Sequence, residues 1–194
     1  VTAGSMDVFS GGTVKVESGK FEVSAYTDIS VAAGASVDVM TGVLTVDVVD
    51  TMDVNAGEAL VRVADRLSMY AGGVTSLATS DIDVFADGIV SLFAGDTLSV
   101  QANTANVKVM EDVDVHGGGA LTVRSAGSAS VVTTDDLVLD GGSIKVVSGG
   151  TIELSAAEEV KISSSAQSTV LVEESIDVAV FEDAKLGFGS LSVG

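Results

Sequence analysis

The chain has 194 residues, 46% of them hydrophobic, and a mean hydropathy of +0.50, enough apolar material to bury a large core and to argue against disorder. A net charge of −19, with only nine Lys and Arg spread along the chain, argues against nucleic acid and anionic membrane surfaces, because phosphate contacts need clustered cations. The absence of cysteine excludes disulfide staples and thiolate metal sites, and no run of about 18 apolar residues reads as a membrane span.

In chain order, one phrase repeats. In residues 11–25, "GGTVKVESGKFEVSA", Val14 and Val16 flank Lys15, a corner follows at Ser18-Gly19, and Phe21 and Val23 flank Glu22. The same apolar-polar-apolar unit returns as "ISV" (29–31), "VDV" (37–39), "MDV" (52–54), "IDV" (82–84), "LSV" (98–100), "VKV" (107–109), "LTV" (121–123), "IKV" (144–146) and "IEL" (152–154). A period of two marks half-buried strands. Between the phrases lie "AAG", "NAG", "YAGG", "FAG", "HGGG" and "DGG", corners whose Gly, Asn and Asp suit positive φ. One strand-and-corner unit repeated this often predicts a single all-β domain over residues 1–194, a parallel β-solenoid or β-helix. In residues 165–194 the spacing stretches through "SSSAQSTVLVEES" before short apolar phrases resume, and this segment is expected to form a modified terminal coil.

Charge sets the coil length. Identical positions of a solenoid stack about 4.8 Å apart, where like charges repel. Two strands per coil would align Asp7, Glu22, Asp38 and Asp53 in an unbroken acidic ladder. Three strands, with about 23 residues per coil, give instead the ladder Lys15, Asp38, Arg62, Asp83 and Lys108, continuing through Ser130, Glu153 and Asp177. A second face reads Asp7, Ser30, Asp53, Ser76, Ser99, Thr122 and Lys145, and a third Glu22, Thr45, Ser68, Ser91, Asp114, Val138 and Lys161. Neither stacks two acids. The same step aligns Tyr70, Phe93 and His116 as an aromatic stack at the edge of one face.

The phrases "LSVQAN", "ISVAAG" and "IELSAAE" resemble the repeats of filamentous-haemagglutinin-type adhesins. That resemblance implies a right-handed parallel β-helix and an extracellular or cell-surface fibre or adhesive role, and it carries over no site. The Val-rich octads are also similar, less closely, to the trimeric β-helical needles of phage tail spikes and type VI secretion spikes.

Chemistry-bearing motifs are sparse. His116 in "DVHGGG" is the one histidine; "HGGG" resembles the oxyanion loop of some lipases, but the serine motif G-x-S-x-G is missing and the triplet reads as a corner. The pairs Asp81 and Asp83, Asp112 and Asp114, Asp135 and Asp136, and Glu173 and Glu174 make calcium the one candidate cation, against the reading of a solvated acidic surface, and no other cofactor is expected. Met40, Phe85, Met110 and Val132 follow inward residues on one face, and alternation points them outward as a strip for lateral contact. The expectation is a non-enzymatic structural or adhesive element that self-associates end to end or laterally or joins flanking structural domains. The alternatives are a homotrimeric spike and a polysaccharide-acting β-helix enzyme.

Overall fold

The computed structural model describes residues 1–180 and 183–193, and those residues form a parallel β-solenoid of about eight coils. Successive rungs are about 23 residues apart, as in the pairs Val14 with Val37, Ile29 with Met52, and Leu67 with Val90. Each coil contributes one strand to each of three faces. Face A stacks residues 6–10, 29–33, 52–56, 75–79, 97–102, 120–125, 143–148 and 167–172. Face B stacks 14–18, 37–41, 59–63, 82–86, 105–109, 129–133, 152–156 and 176–180. Face C stacks 20–25, 43–48, 66–71, 90–94, 113–117, 137–141, 159–164 and 183–188.

Corners do not always interrupt the extended backbone. Ile29–Val48 and Met52–Ala71 are continuous 20-residue strands that bend through all three faces, with register shifts at Ala33/Ser36 and Thr41/Val43 marking the bends. Residues 165–180 keep the same rungs, with one further register shift between Ser164 and Gln167.

Alternation along each strand sends three side chains inward and two outward. The first inward position holds a large apolar residue: on face C it is filled by Leu44, Leu67, Val90, Val113, Leu137 and Val160, all buried. The second, such as Val54, Leu77, Leu92 and Val115, faces the solenoid axis and is only half-buried, because these side chains border an axial apolar cavity of about 390 Å³. Of the residues lining that cavity, Thr79 is the sole polar one. The third inward position lies at the corner, where the chain turns on itself and space is shortest. Small residues occupy it, as in the column Ala25, Val48, Ala71, Ala94, Gly117 and Gly141. Full burial of a Leu or Ile side chain contributes about 1.5–3 kcal/mol, and Leu67, Leu98, Leu121, Leu137 and Ile144 are each among the most completely buried.

Hydroxyls at these corners satisfy carbonyls that the bend takes out of the ladder. Ser125 Oγ donates to the Asn103 carbonyl at 2.6 Å, Ser148 Oγ to Gly127 at 2.7 Å, and Thr41 Oγ1 to Val43 at 2.9 Å. Thr133 does the same for Glu111, and Thr134 for Met110.

The corner glycines act differently from the sequence expectation. Among the described residues no glycine and no other residue has positive φ. The requirement is close approach: a Cβ on Gly42 would lie 2.5 Å from the Gly19 carbonyl oxygen of the coil before it. In the column Gly72, Gly95 and Gly118, a Cβ on Gly95 or Gly118 would overlap the carbonyl of the glycine one coil earlier. Gly95→Ala is therefore expected to destabilise the fold by about 1–3 kcal/mol through backbone displacement, read as a lower thermal midpoint. A corner glycine with open space, such as Gly12, should accept alanine with little change.

Candidate interaction surfaces

Along the strands the surface is made by the outward residues, two per strand, so each face presents two rows of side chains spaced one rung apart. The rows Asp7-Ser30-Asp53-Ser76-Ser99-Thr122-Lys145 on face A and Glu22-Thr45-Ser68-Ser91-Asp114-Val138-Lys161 on face C stack as the spacing predicts.

Face B departs from the predicted ladder. Lys15 stands beside Asp38, but the next rungs of that row are Leu60, Asp83, Asn106, Ser130, Glu153 and Asp177. Arg62 and Lys108 belong to the neighbouring row, Glu17-Met40-Arg62-Phe85-Lys108-Val132-Ser155. The cause is local. In "ALVRV" and "NVKV" the corner positions are filled by Val63 and Val109 rather than by a smaller residue, so three inward apolar positions follow one another in each phrase. The structure turns Ala59, Val61, Ala105 and Val107 to the strand interior and puts Val63 and Val109 at the corner, both buried.

The same shift changes the apolar strip. Met40, Phe85 and Val132 share one row but alternate with Arg62 and Lys108, and the Arg62 guanidinium lies over the Phe85 ring, 5.9 Å from its centroid. Met110 is exposed beyond the corner and does not share that row. Leu60 on the adjoining row is the apolar neighbour that the sequence reading missed. Counting back 23 residues from Asp83 finds it, once Val63 is assigned to the corner.

Charge on face B is locally unbalanced. Lys15 Nζ contacts Glu17 Oε1 at 2.5 Å, and this hydrogen bond and charge raise the Lys15 pKa above its ordinary value, with Asp38 adding to the effect. Asp83 accepts a hydrogen bond from Asn106 Nδ2 at 2.9 Å. Among the described residues, Arg62 and Lys108 form no ion pair within the chain.

Face C carries the aromatic row. Tyr70, Phe93 and His116 stack on successive coils, with ring centroids 4.8 and 4.9 Å apart and interplanar angles of 3° and 9°. Asp47 precedes them and Asp140 and Ser163 follow. Asp140 lies 24 residues after His116, because the corner at residues 126–128 carries one residue more than the corner at 103–104 in the coil before, which hides it from a uniform 23-residue step.

His116 Nδ1 is 3.1 Å from Asp140 Oδ2, and Ser163 Oγ donates to Asp140 Oδ1 at 2.7 Å. The order is wrong for nucleophile activation: the carboxylate stands between hydroxyl and imidazole, so Ser163 has no base to take its proton. What the arrangement can do is tie three coils together at their outer edge. The rings stack along the solenoid axis and occupy one another's faces, leaving mainly edges for solvent.

The acid pairs fall on corners and strands with defined partners. Asp112 Oδ1 accepts from the Asp136 amide at 3.2 Å, Asp136 Oδ1 accepts from the Glu159 amide at 3.1 Å, and Glu159 meets Lys185 Nζ at 3.0 Å. Glu174 Oε2 accepts from Thr151 Oγ1 at 3.4 Å. Among the described residues no group of three or more acids or histidines is placed to hold a metal ion, and no helix is long and apolar enough to cross a membrane.

No family model matches the chain, and no curated protein and no solved structure is significantly similar to it.

The Ser163 hydroxyl holds the Asp140 carboxyl below the usual carboxylate value, against the partial burial that raises it and with help from His116. Because the folded-state pKa is depressed, the stability this carboxylate adds is present above its unfolded value and is lost as pH falls through the folded one. NMR titration of the Asp140 carboxyl is expected to give a midpoint below that of an unstructured aspartate, rising toward it in Ser163→Ala. Identical midpoints in the two proteins would contradict the assigned bond.

Proposed function

We propose that the chain is a non-enzymatic structural or adhesive element of an extracellular fibre, self-associating end to end or side by side. The observation that carries this reading is the outward surface of face B, where Met40, Arg62, Phe85 and Lys108 stack one rung apart beside Asp38, Leu60 and Asp83, a mixed charged and apolar surface that a partner repeating at the same spacing can match.

Three flat faces with short corners also support a scaffold over a polysaccharide-acting enzyme, whose substrate needs a cleft. Closure of every coil by one chain's own three faces supports a self-contained solenoid over a needle built from three chains.

Sedimentation and negative-stain imaging across concentration test the proposal. Wild-type chain is expected to gain mass with concentration and to give rods of uniform width. A wild-type chain that stays monomeric at high concentration, across salt and calcium, would overturn it.

A further inference from the structure

We infer that face B is the side-by-side contact, and that its occupant is a second copy of this chain lying parallel and displaced by one rung. The inference rests on the lateral association proposed above and adds the direction and the stagger.

Face B presents two outward rows. One runs Lys15, Asp38, Leu60, Asp83, Asn106, and the other Glu17, Met40, Arg62, Phe85, Lys108. In a chain of net charge −19, Arg62 and Lys108, two cations without an intrachain ion pair among the described residues, stand in one row of this face, with Asp38 and Asp83 in the row beside them. Two copies packed parallel, face B to face B, set the first row of each against the second row of the other.

With rungs level the match is poor. Asp38 would face Met40 of the second copy, Leu60 would face Arg62, and Asp83 would face Phe85, placing charge on apolar surface at three successive rungs, with Lys15 against Glu17 the matched pair. Displaced by one rung, about 4.8 Å, the same faces become complementary. Asp38 meets Arg62 of the second copy, Arg62 meets Asp83, and Asp83 meets Lys108, while Leu60 meets Phe85 and Met40 meets Leu60.

A displacement of two rungs brings Lys15 against Arg62 and loses the acid–base pairs. An antiparallel arrangement sets like rows together, so that alignment on Phe85 brings Arg62 against Lys108 and Asp83 against its own counterpart. Among these arrangements the one-rung parallel stagger sets Asp38, Arg62, Asp83 and Lys108 against opposite charges and Leu60 against Met40 and Phe85, and it does so although Glu17 then meets Asp38 of the second copy.

The size is sufficient. A five-residue strand is about 16 Å wide and eight rungs span about 34 Å, so the pair buries on the order of 1,000 Å² in total, near the lower bound for a specific contact. The slide leaves one rung of face B uncovered at opposite ends of the pair, and end-to-end growth would overlap such pairs like courses of brick.

Two double variants test the inference: Arg62→Glu with Lys108→Glu, and Asp38→Lys with Asp83→Lys. Every substituted side chain points outward, and circular dichroism verifies folding. Each variant alone sets like charges in opposition and is expected to weaken side-by-side association about a hundredfold or more. An equimolar mixture restores all three pairs and should recover association at the wild-type level, read by sedimentation. In a second arm, chains carrying Leu60→Cys and Phe85→Cys, mixed under mild oxidation, should form a disulfide between copies, whereas Leu60→Cys with Val147→Cys on face A should not.

Equal association of the wild type and both separate variants overturns the inference while leaving self-association in place, and so does a mixture no better than its components. A wild type that never associates overturns both. Crosslinking that is equal in the two cysteine mixtures overturns the face assignment alone.

Discussion

The parallel backbone ladder is the constraint on which the rest depends. Once residue i must pair with a residue about 23 positions later, every side chain acquires fixed neighbours above and below it, at one strand spacing. Each column must then tolerate its own repetition. Inward columns do so by holding large apolar residues along the strand and small ones at the corner. Most outward positions do so by interrupting acids with Ser, Thr, Leu or a cation, as Ser30 separates Asp7 from Asp53 and Leu60 separates Asp38 from Asp83, although Glu153 and Asp177 stack directly on face B. Corners obey the same rule in backbone atoms: the carbonyl of one coil occupies the space a Cβ would need on the next, which fixes Gly95 and Gly118. A chain this acidic remains compact because its carboxylates are spread over separate rows and several of them accept hydrogen bonds from the adjacent coil.

Much of this was legible in the sequence, for a physical reason. On faces A and C most phrases contain two apolar residues around one polar residue, so inward and outward assignment is forced and the 23-residue step follows from charge avoidance. Face B was misread at two rungs for an equally physical reason. Val63 and Val109 put apolar side chains at corner positions that Thr41, Ala86 and Thr133 occupy in other coils, and a period of two cannot say which two of three alternating apolar residues lie on the straight part of the strand. That ambiguity moved Arg62 and Lys108 from the neighbouring row into the predicted ladder. The role of glycine was misjudged because composition reveals a need for a small residue without revealing whether φ or contact imposes it. The link from Asp140 to His116 lay hidden behind one extra corner residue.

The surface that emerges is ordered by row, which bears directly on function. Tyr70, Phe93 and His116 turn their faces toward one another and are poor platforms for a flat ligand, while Asp140 and Ser163 close that row with hydrogen bonds instead of presenting a reactive group. Face B mixes Asp38, Arg62, Asp83 and Lys108 with Leu60, Met40 and Phe85 at intervals of one rung. A partner that reads such a surface must itself repeat at the same spacing, and another copy of this chain satisfies that condition by construction.

The account stands on the 23-residue coil, and deletion tests it most directly. Removing residues 67–89 joins Arg66 to Val90, which already occupies the rung position of Leu67, so every column closes on its own kind. Thermal unfolding of this variant, followed by circular dichroism, is predicted to remain cooperative with the strand signal intact and a modest fall in midpoint. Removing only residues 67–74 shifts every later side chain to the wrong face and should abolish the transition. Loss of folding in the 23-residue deletion, or equal stability of the eight-residue one, would contradict the stacked three-face coil.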